Sequence, residues 1–464
     1  MSSGKLSSLL LWRATIFSDS LLDHVLRLNR LGPDHLRSDL LQLTLAEALK
    51  AEFYRKIWSG IDIPNVTLAS IANLPIINKA AIQSAGADAQ IRNGMFCDEV
   101  FTMGTSGPPL VTIRGSQEQS FIAAYFTALN LPNTVDGKRV RIMKFTDPYH
   151  GYHVKVPARV HCHRVSIYDA GSFEHARKTL QNTFEDHMVQ KRCTVLMGGR
   201  CLKAFSLDTF NKYGEKFETS LERIITVGDY LSRYWRSLMQ QTWKAPIADH
   251  YSVSEIFGGA SQTFRCGWWH FVPYVIPEVI SQKSRKPIKE GLGILVLTAL
   301  YPFQEAQPLV RYSTGDLVEV THSQSSRDGE LAIKPMGRAA YGVPHPENDE
   351  WLVTPASLLE ILEEMPVIAR KPLYRDAEQV QDPEAVGLPL YNISSRHFHE
   401  QVFISISVVT KNLESSQTKT IEEQIIEGLK RQNPVLAREL DKRRATVEIH
   451  IAPSLSGTDI ARPE

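Results

Sequence analysis

Between residues 101 and 242 short apolar runs and longer amphipathic segments follow one another in turn, and this alternation limits the possible folds more than any other feature of the chain. Leu110-Val-Thr-Ile113, Arg139 to Phe145, Thr194-Val-Leu-Met197 and Ile224-Ile-Thr-Val227 read as strands. Helix-like stretches at 116–129, 203–213 and 231–242 separate them. Strands interleaved with helices bury their apolar faces as layers, so an α/β fold is expected rather than an all-helical or all-β one. Ahead of this region Leu21, Leu22, Val25 and Leu26, then Leu40, Leu41, Leu45 and Leu49, recur at helical spacing on either side of Gly32-Pro33. That pattern predicts at least two helices in a helical N-terminal part, about 1–95.

Downstream, Gly293 to Thr298, Leu309 to Tyr312 and Leu317 to Val320 read as successive strands, with Ser313-Thr-Gly-Asp316 as a turn. Beyond Gly337-Arg338 the residues Pro344, Pro346, Asn348 and Asp349 mark a linker or exposed loop. The expected organisation is a large multi-layer α/β domain over 1–336 and a smaller α+β domain over 337–464. The second is predicted from helices at 355–364 and 419–432 and strands at 401–409 and 446–451.

Lys plus Arg is 52 and Asp plus Glu is 51 in the 464 residues, a net charge of +1, so no overall field draws the chain to nucleic acid or an anionic membrane. The five cysteines, Cys97, Cys162, Cys193, Cys201 and Cys266, form no C-x-x-C pair, which fits a reducing compartment. The run from Leu6 to Trp12 is short and lacks a cleavage site, and no 18-residue apolar stretch exists, so a cytoplasmic setting is expected.

Chemistry is suggested first by Thr102-Met-Gly-Thr-Ser-Gly-Pro-Pro109, a loop that interleaves hydroxyls and glycines and can aim backbone N–H groups at an anion. It lacks the lysine of a Walker A loop, and its glycine spacing is not that of a G-x-S-x-G nucleophile elbow. Alone it reads as plain turn structure. Three other segments add parts that an ATP site needs: Tyr251-Ser-Val-Ser-Glu255, Tyr312-Ser-Thr-Gly-Asp316 and Gly337-Arg338. A tyrosine ring can stack on adenine, one carboxylate can hold Mg²⁺, and another can accept ribose hydroxyls.

In this order the segments resemble the acyl-adenylate-forming superfamily, and within it the phenylacetate–CoA ligase family. Phe53-Tyr-Arg55, Leu74-Pro-Ile-Ile-Asn-Lys79, Gly228-Asp229 and Pro277-Glu278 are lesser matches, and the resemblance runs from about residue 45 onward. It implies that Thr105, Ser106 and Gly107 hold the ATP phosphates, that Tyr251 stacks on adenine, that Glu255 ligates Mg²⁺ and that Asp316 binds the ribose. It also implies nucleotide contacts for Gly228, Asp229, Ser252 and Arg311, and a catalytic place for Arg338 at the domain junction. The substrate pocket corresponds to Phe145, Tyr149, His150, Tyr152 and His153, five rings in nine residues that can form a slot for an aryl acid. The implied reaction joins a carboxylic acid to AMP from ATP with Mg²⁺ and passes the acyl group to CoA, a carrier-protein thiol or an amine. A homodimer is an expected assembly.

The chain departs from the family pattern at three places. Pro108 replaces a cation in the phosphate loop, Ala339-Ala340-Tyr341 replaces a hinge pair of aspartates, and Pro453 to Pro463 carries Thr458 but no lysine where the superfamily has its C-terminal lysine. Two rival readings follow. One is a catalytically degenerate homologue that binds nucleotide or a partner. The other is a metal-dependent hydrolase using His150-x-x-His153, His161-Cys-His163 or His397-Phe-His399-Glu400, none of which has the H-E-x-x-H spacing of a zinc helix.

Overall fold

The structure is a computed structural model, and the description covers residues 33–91, 97–101, 110–115, 118, 138–146, 160–166, 170–262, 266–322, 330–370, 387–411 and 417–452. The first strands, β1 (Cys97–Phe101) and β2 (Val111–Gly115), form an antiparallel pair in which Phe101 faces Val111. The large sheet comprises β3 (Val140–Thr146), β4 (Val160–Ser166), β5 (Val195–Gly198), β6 (Arg223–Val227), β7 (Ile247–Val253), β8 (Ile256–Gln262), β9 (Trp269–Phe271), β10 (Val275–Ile280), β11 (Gly291–Ala299), β12 (Tyr312–Thr321) and β13 (Ala332–Arg338). Its order is β10-β11-β12-β13-β9-β8-β7-β6-β5-β3-β4.

Chain pattern explains the division of this sheet. From β4 to β7 all neighbours are parallel, as strands linked through the helices Ala170–Gln181, Arg200–Tyr213 and Arg233–Trp243 must be. These strands are buried on both faces: Val195 and Ile225 point to one apolar cluster, and their neighbours Leu196 and Ile224 to another. From β7 to β10 every neighbour is antiparallel. The antiparallel half is covered by the N-terminal helices Pro33–Ala48 and Glu52–Ile57, whose Leu40, Leu41, Leu45 and Tyr54 join Val275, Leu297, Leu309 and Val318 in one core.

The smaller body packs around its own cluster. A short pair, β14 (Val343–Pro344) and β15 (Trp351–Val353), leads into the helix Pro355–Glu363. A three-stranded sheet of β16 (Tyr391–Phe398), β17 (Gln401–Val409) and β18 (Ala445–Ala452) is backed by the helices Thr418–Gln432 and Pro434–Asp441. Trp351 does not belong to that cluster. It packs with Ile280, Ile294, Val296 and Leu317 of the large sheet, which ties the junction to the larger body.

One expectation is corrected here. Ser313-Thr-Gly-Asp316 is not a turn between two strands, because Tyr312 to Thr321 form one strand, β12. The segment looks turn-like in sequence because it carries an irregularity: the register with β11 shifts between Ile294 and Val296, and Gly315 has φ +77°. A bulge of this kind bends a strand and re-aims its side chains. The strands β16 and β13 and those from β7 to β10 were not anticipated either.

Candidate active site

The segments Tyr251 to Glu255 and Tyr312 to Asp316 each read tyrosine, three residues, acid, and the fold exchanges their partners. Tyr251 lies near the end of β7, the last strand with a parallel neighbour, and its hydroxyl donates to Asp316 Oδ2 at 2.6 Å. Tyr312 opens β12, and its hydroxyl donates to Glu255 Oε1 at 2.9 Å. Each tyrosine therefore serves the carboxylate of the other segment. The place is also where parallel pairing gives way to antiparallel, beside the carboxyl ends of the parallel strands, where open α/β sheets bind ligands. Close approach of β8 fixes the end of β7: a Cβ on Gly259 would stand 2.0 Å from the Tyr251 carbonyl oxygen.

Asp316 is held from three sides. Its N–H donates to Thr314 Oγ1 at 3.1 Å, while Arg338 Nε lies 3.2 Å from its Oδ1. Asp316 and Arg338 are register partners across β12 and β13, so the ion pair is set by strand pairing. Burial pushes the Asp316 carboxyl above its ordinary range against the pull of Arg338. Burial, reinforced by Asp316, likewise raises Tyr251, so this phenol stays a proton donor. Glu255 differs. It is only 7% exposed, and among the described residues no cation is in contact with its side chain; Arg338, whose contact pair is Asp316, acts on it from farther off. Gln304 Nε2 donates to its backbone carbonyl at 3.2 Å and holds the turn.

Arg311 has another place. Its Nε and Nη2 donate to the two oxygens of Glu278 at 2.9 Å each, and its Nη1 donates to the carbonyls of Ala72, at 2.7 Å, and of Leu74. The guanidinium is 3% exposed and committed to this clamp, although the sequence suggested a nucleotide contact. The clamp joins Pro277-Glu278, the Leu74 to Lys79 segment and β12, and Ile77 bridges Tyr312 through the bonds Ile77 N–H to Arg311 O and Ser313 N–H to Ile77 O. Arg311 adopts φ +54°, an unfavourable conformation for a residue with a Cβ, which the four bonds hold in place.

The remaining expected residues are placed as follows. Gly228 and Asp229 follow β6, and Asp229 Oδ2 meets Lys203 Nζ at 2.7 Å and Arg200 Nε at 3.8 Å. Burial alone would raise this carboxyl, but the two cations outweigh it and hold it below the usual value. Ser252 is exposed on β7. Phe145, at the end of β3, is 3% exposed and stacked on Phe205 at 4.8 Å, so it packs in the helix-facing core rather than lining an open slot. Thr105, Ser106, Gly107, Tyr149, His150, Tyr152 and His153, and the segment Pro453 to Pro463, lie outside the described residues.

Some participants were not recognised in the sequence. Tyr312 is one, and the doubled tyrosine-to-acid spacing was its available signal. Arg114 is another: it is fully buried, donates to the carbonyl of Ser254 beside Glu255 and faces Glu118 at 3.4 Å. Glu118 in turn accepts from the N–H groups of Glu305 and Ala306. Nothing in the sequence pattern distinguishes that pair from surface charge. For the hydrolase reading, His161 and His163 lie on β4 and Cys266 Sγ is 3.2 Å from His270 Nε2, but among the described residues no group of three His, Cys, Asp or Glu can hold a metal ion.

No known family profile matches the chain. A stretch of 110 residues is 33% identical to phenylacetate–coenzyme A ligase of Thermus thermophilus, and it spans 23% of this chain and about a quarter, 24%, of that relative. Among solved structures, an open conformation of 2-hydroxyisobutyryl-CoA ligase in complex with 2-HIB-AMP and CoA aligns over 92% of this chain and 90% of its own, with a TM-score of 0.63 and 14% identity. The same ligase in its thioesterification state aligns with a TM-score of 0.55 and 16% identity, over 93% and 88% of the two chains. ATP-bound MatB from Rhodopseudomonas palustris aligns with a TM-score of 0.51 and 13% identity, over 81% of this chain and 67% of its own. At such identities the likeness is one of fold, and the fold is the one these ligase structures share.

Proposed function

We propose that the protein activates a carboxylic acid with ATP as an acyl-adenylate and transfers the acyl group to a thiol or amine. The observation that carries this reading is the convergence of Tyr251 on β7, Glu255 in the turn after it, Asp316 on β12 and Arg338 on β13 at the carboxyl end of the parallel half-sheet. The proposed division of labour is a large domain, 1–336, that takes nucleotide and acid, and a small one, 337–464. Local sequence shared with a CoA ligase supports CoA as acceptor; a carrier-protein thiol or an amine fits the same chemistry.

The donor set fits magnesium nucleotide. Glu255 is a nearly buried carboxylate bonded on one oxygen by a neutral phenol, and the nearby Arg338 charge is shared with Asp316, so a bound cation would complete its neutralisation. Magnesium there would neutralise phosphate charge as pyrophosphate leaves. Asp316 would accept the ribose hydroxyls, with Arg338 fixing its carboxylate, and Tyr251 would offer its ring to adenine. Thr105, Ser106 and Gly107 would supply N–H and hydroxyl donors to the phosphates. The acid, an aryl or amino acid in this reading, would lie beside Ser252 and the 145–153 segment. Without a C-terminal lysine the adenylation step is expected to run about 10²- to 10³-fold slower than with that cation, which suffices for a secondary-metabolic enzyme of the cytoplasm.

The departures at Ala339 to Tyr341 and Thr458 favour a second reading, a degenerate homologue that holds nucleotide without turning it over. Acid-dependent ATP–pyrophosphate exchange separates the two. Exchange stimulated by one member of a pool of aryl and amino acids supports the ligase. ATP binding with no exchange for any acid supports the degenerate homologue.

A further inference from the structure

The carboxylate assigned above to magnesium does not hold its own position. Glu255 sits in the two-residue turn between β7 and β8, where Gln304 and Arg114 hold the backbone carbonyls of Glu255 and Ser254. The described side chain that hydrogen-bonds its carboxylate is Tyr312, which is 2% exposed, sits at the start of β12 and is locked there by backbone bonds between Ile77 and Arg311 and Ser313. Its hydroxyl donates to Oε1 at 2.9 Å. One carboxylate oxygen is thereby fixed and the other is left for a ligand.

We propose that Tyr312 is the positioning residue of the metal-binding carboxylate, orienting Glu255 for one-oxygen ligation of the cation, while Tyr251 does the corresponding work for Asp316 on the sugar side. The proposal rests on the magnesium–nucleotide reading. The crossed arrangement makes it testable, because the two phenols touch different carboxylates and should fail differently. Partners that orient a metal ligand are worth about 10- to 100-fold in metal affinity.

Calorimetric titration of the full chain with ATP, at a series of Mg²⁺ concentrations and in excess chelator, is the experiment. For Tyr312→Phe the Mg²⁺ concentration giving half-maximal tightening of ATP binding is expected to rise about tenfold, with chelator-condition ATP affinity and the circular dichroism spectrum unchanged. For Tyr251→Phe that Mg²⁺ midpoint is expected to stay, and the preference for ATP over its 2′,3′-dideoxy analogue is expected to fall. If the wild-type chain binds no ATP with or without Mg²⁺, the nucleotide reading itself fails and the proposal falls with it. If the wild type binds and Tyr312→Phe leaves the Mg²⁺ midpoint in place, weakens ATP equally with and without Mg²⁺, or is recovered unfolded, Tyr312 is structural and the proposal alone is overturned. An equal Mg²⁺ shift in both variants overturns it as well.

Discussion

Glu255 and Glu360 are both glutamates of low exposure, 7% and 9%, each accepting a hydrogen bond from a tyrosine, yet their surroundings differ. Glu360, on the helix Pro355–Glu363 of the small body, accepts from Tyr230 Oη at 2.8 Å, from the Arg233 N–H at 3.1 Å and from Arg233 Nε at 3.0 Å. Its charge and its lone pairs are answered by the protein, and it joins the small body to the large one. Glu255 has its phenol and, among the described residues, no cation in direct contact, since the nearby Arg338 is paired with Asp316. A carboxylate that the chain fully satisfies is a joint, whereas one it leaves partly unsatisfied is a place held for something else. Arg311 with Glu278 falls on the joint side of that division, so a residue of the motif braces the framework.

The comparison is broken most directly at Glu255. Glu255→Ala is expected to lower acid-dependent ATP–pyrophosphate exchange by at least about 10²-fold with the thermal midpoint retained, since the removed carboxylate lies in a turn whose backbone is held by Gln304 and Arg114. Full exchange would remove Glu255 from the site. The reverse pattern is expected for Arg311→Ala, which strands Glu278 as an uncompensated buried charge. A loss of about 3–5 kcal/mol in denaturant unfolding is the outcome there, and a loss under 1 kcal/mol would contradict the clamp.

A third measurement concerns the floor of the site. His250, next to Tyr251, is buried against Ser261 Oγ at 2.8 Å, and burial depresses its imidazole to about 4 from 6.5. The unfolded chain takes up a proton near pH 6.5 that the folded chain refuses. The stabilisation is therefore present above pH 6.5 and is lost as pH falls through 4. The adjacent Asp249, raised to about 6 by burial, acts in the opposite sense, so the readout is a difference. Relative to wild type, His250→Gln should become more stable by up to about 3 kcal/mol between pH 6.5 and 4. Parallel stability curves would show that His250 reaches solvent. The smallest effect is expected at the joint itself: Glu360→Gln leaves an amide that still accepts from Tyr230, and Arg233 is 61% exposed, so a loss of about 1 kcal/mol is expected by denaturation. A loss as large as that of Arg311→Ala would erase the distinction between the two kinds of joint.

Much of the framework was legible in the chain. The parallel strands β3, β5 and β6 and the helices at 200–213, 233–243, 355–363 and 418–432 lie close to the positions that hydrophobic period predicted. Apolar runs of this length carry their period with them whatever they pack against. The strands around Tyr251 did not, because β8 and β9 are mixed in polarity and defined by pairing with each other, with β7 and with β13. Ser313-Thr-Gly-Asp316 misled for a physical reason: a bulge and a turn ask for the same residues, and only the partner strands decide between them.

Local composition and order were enough to identify which residue types sit in the motif segments and to link them with adenylate-forming ligases, since phosphate loops, tyrosines and acids at fixed spacing are properties of the chain itself. Which tyrosine serves which acid, that Arg311 braces Glu278, and that Phe145 packs on Phe205 were decided only in three dimensions. Hydrogen bonds and ion pairs between residues tens or hundreds of positions apart depend on strand register, and register is set by the whole sheet.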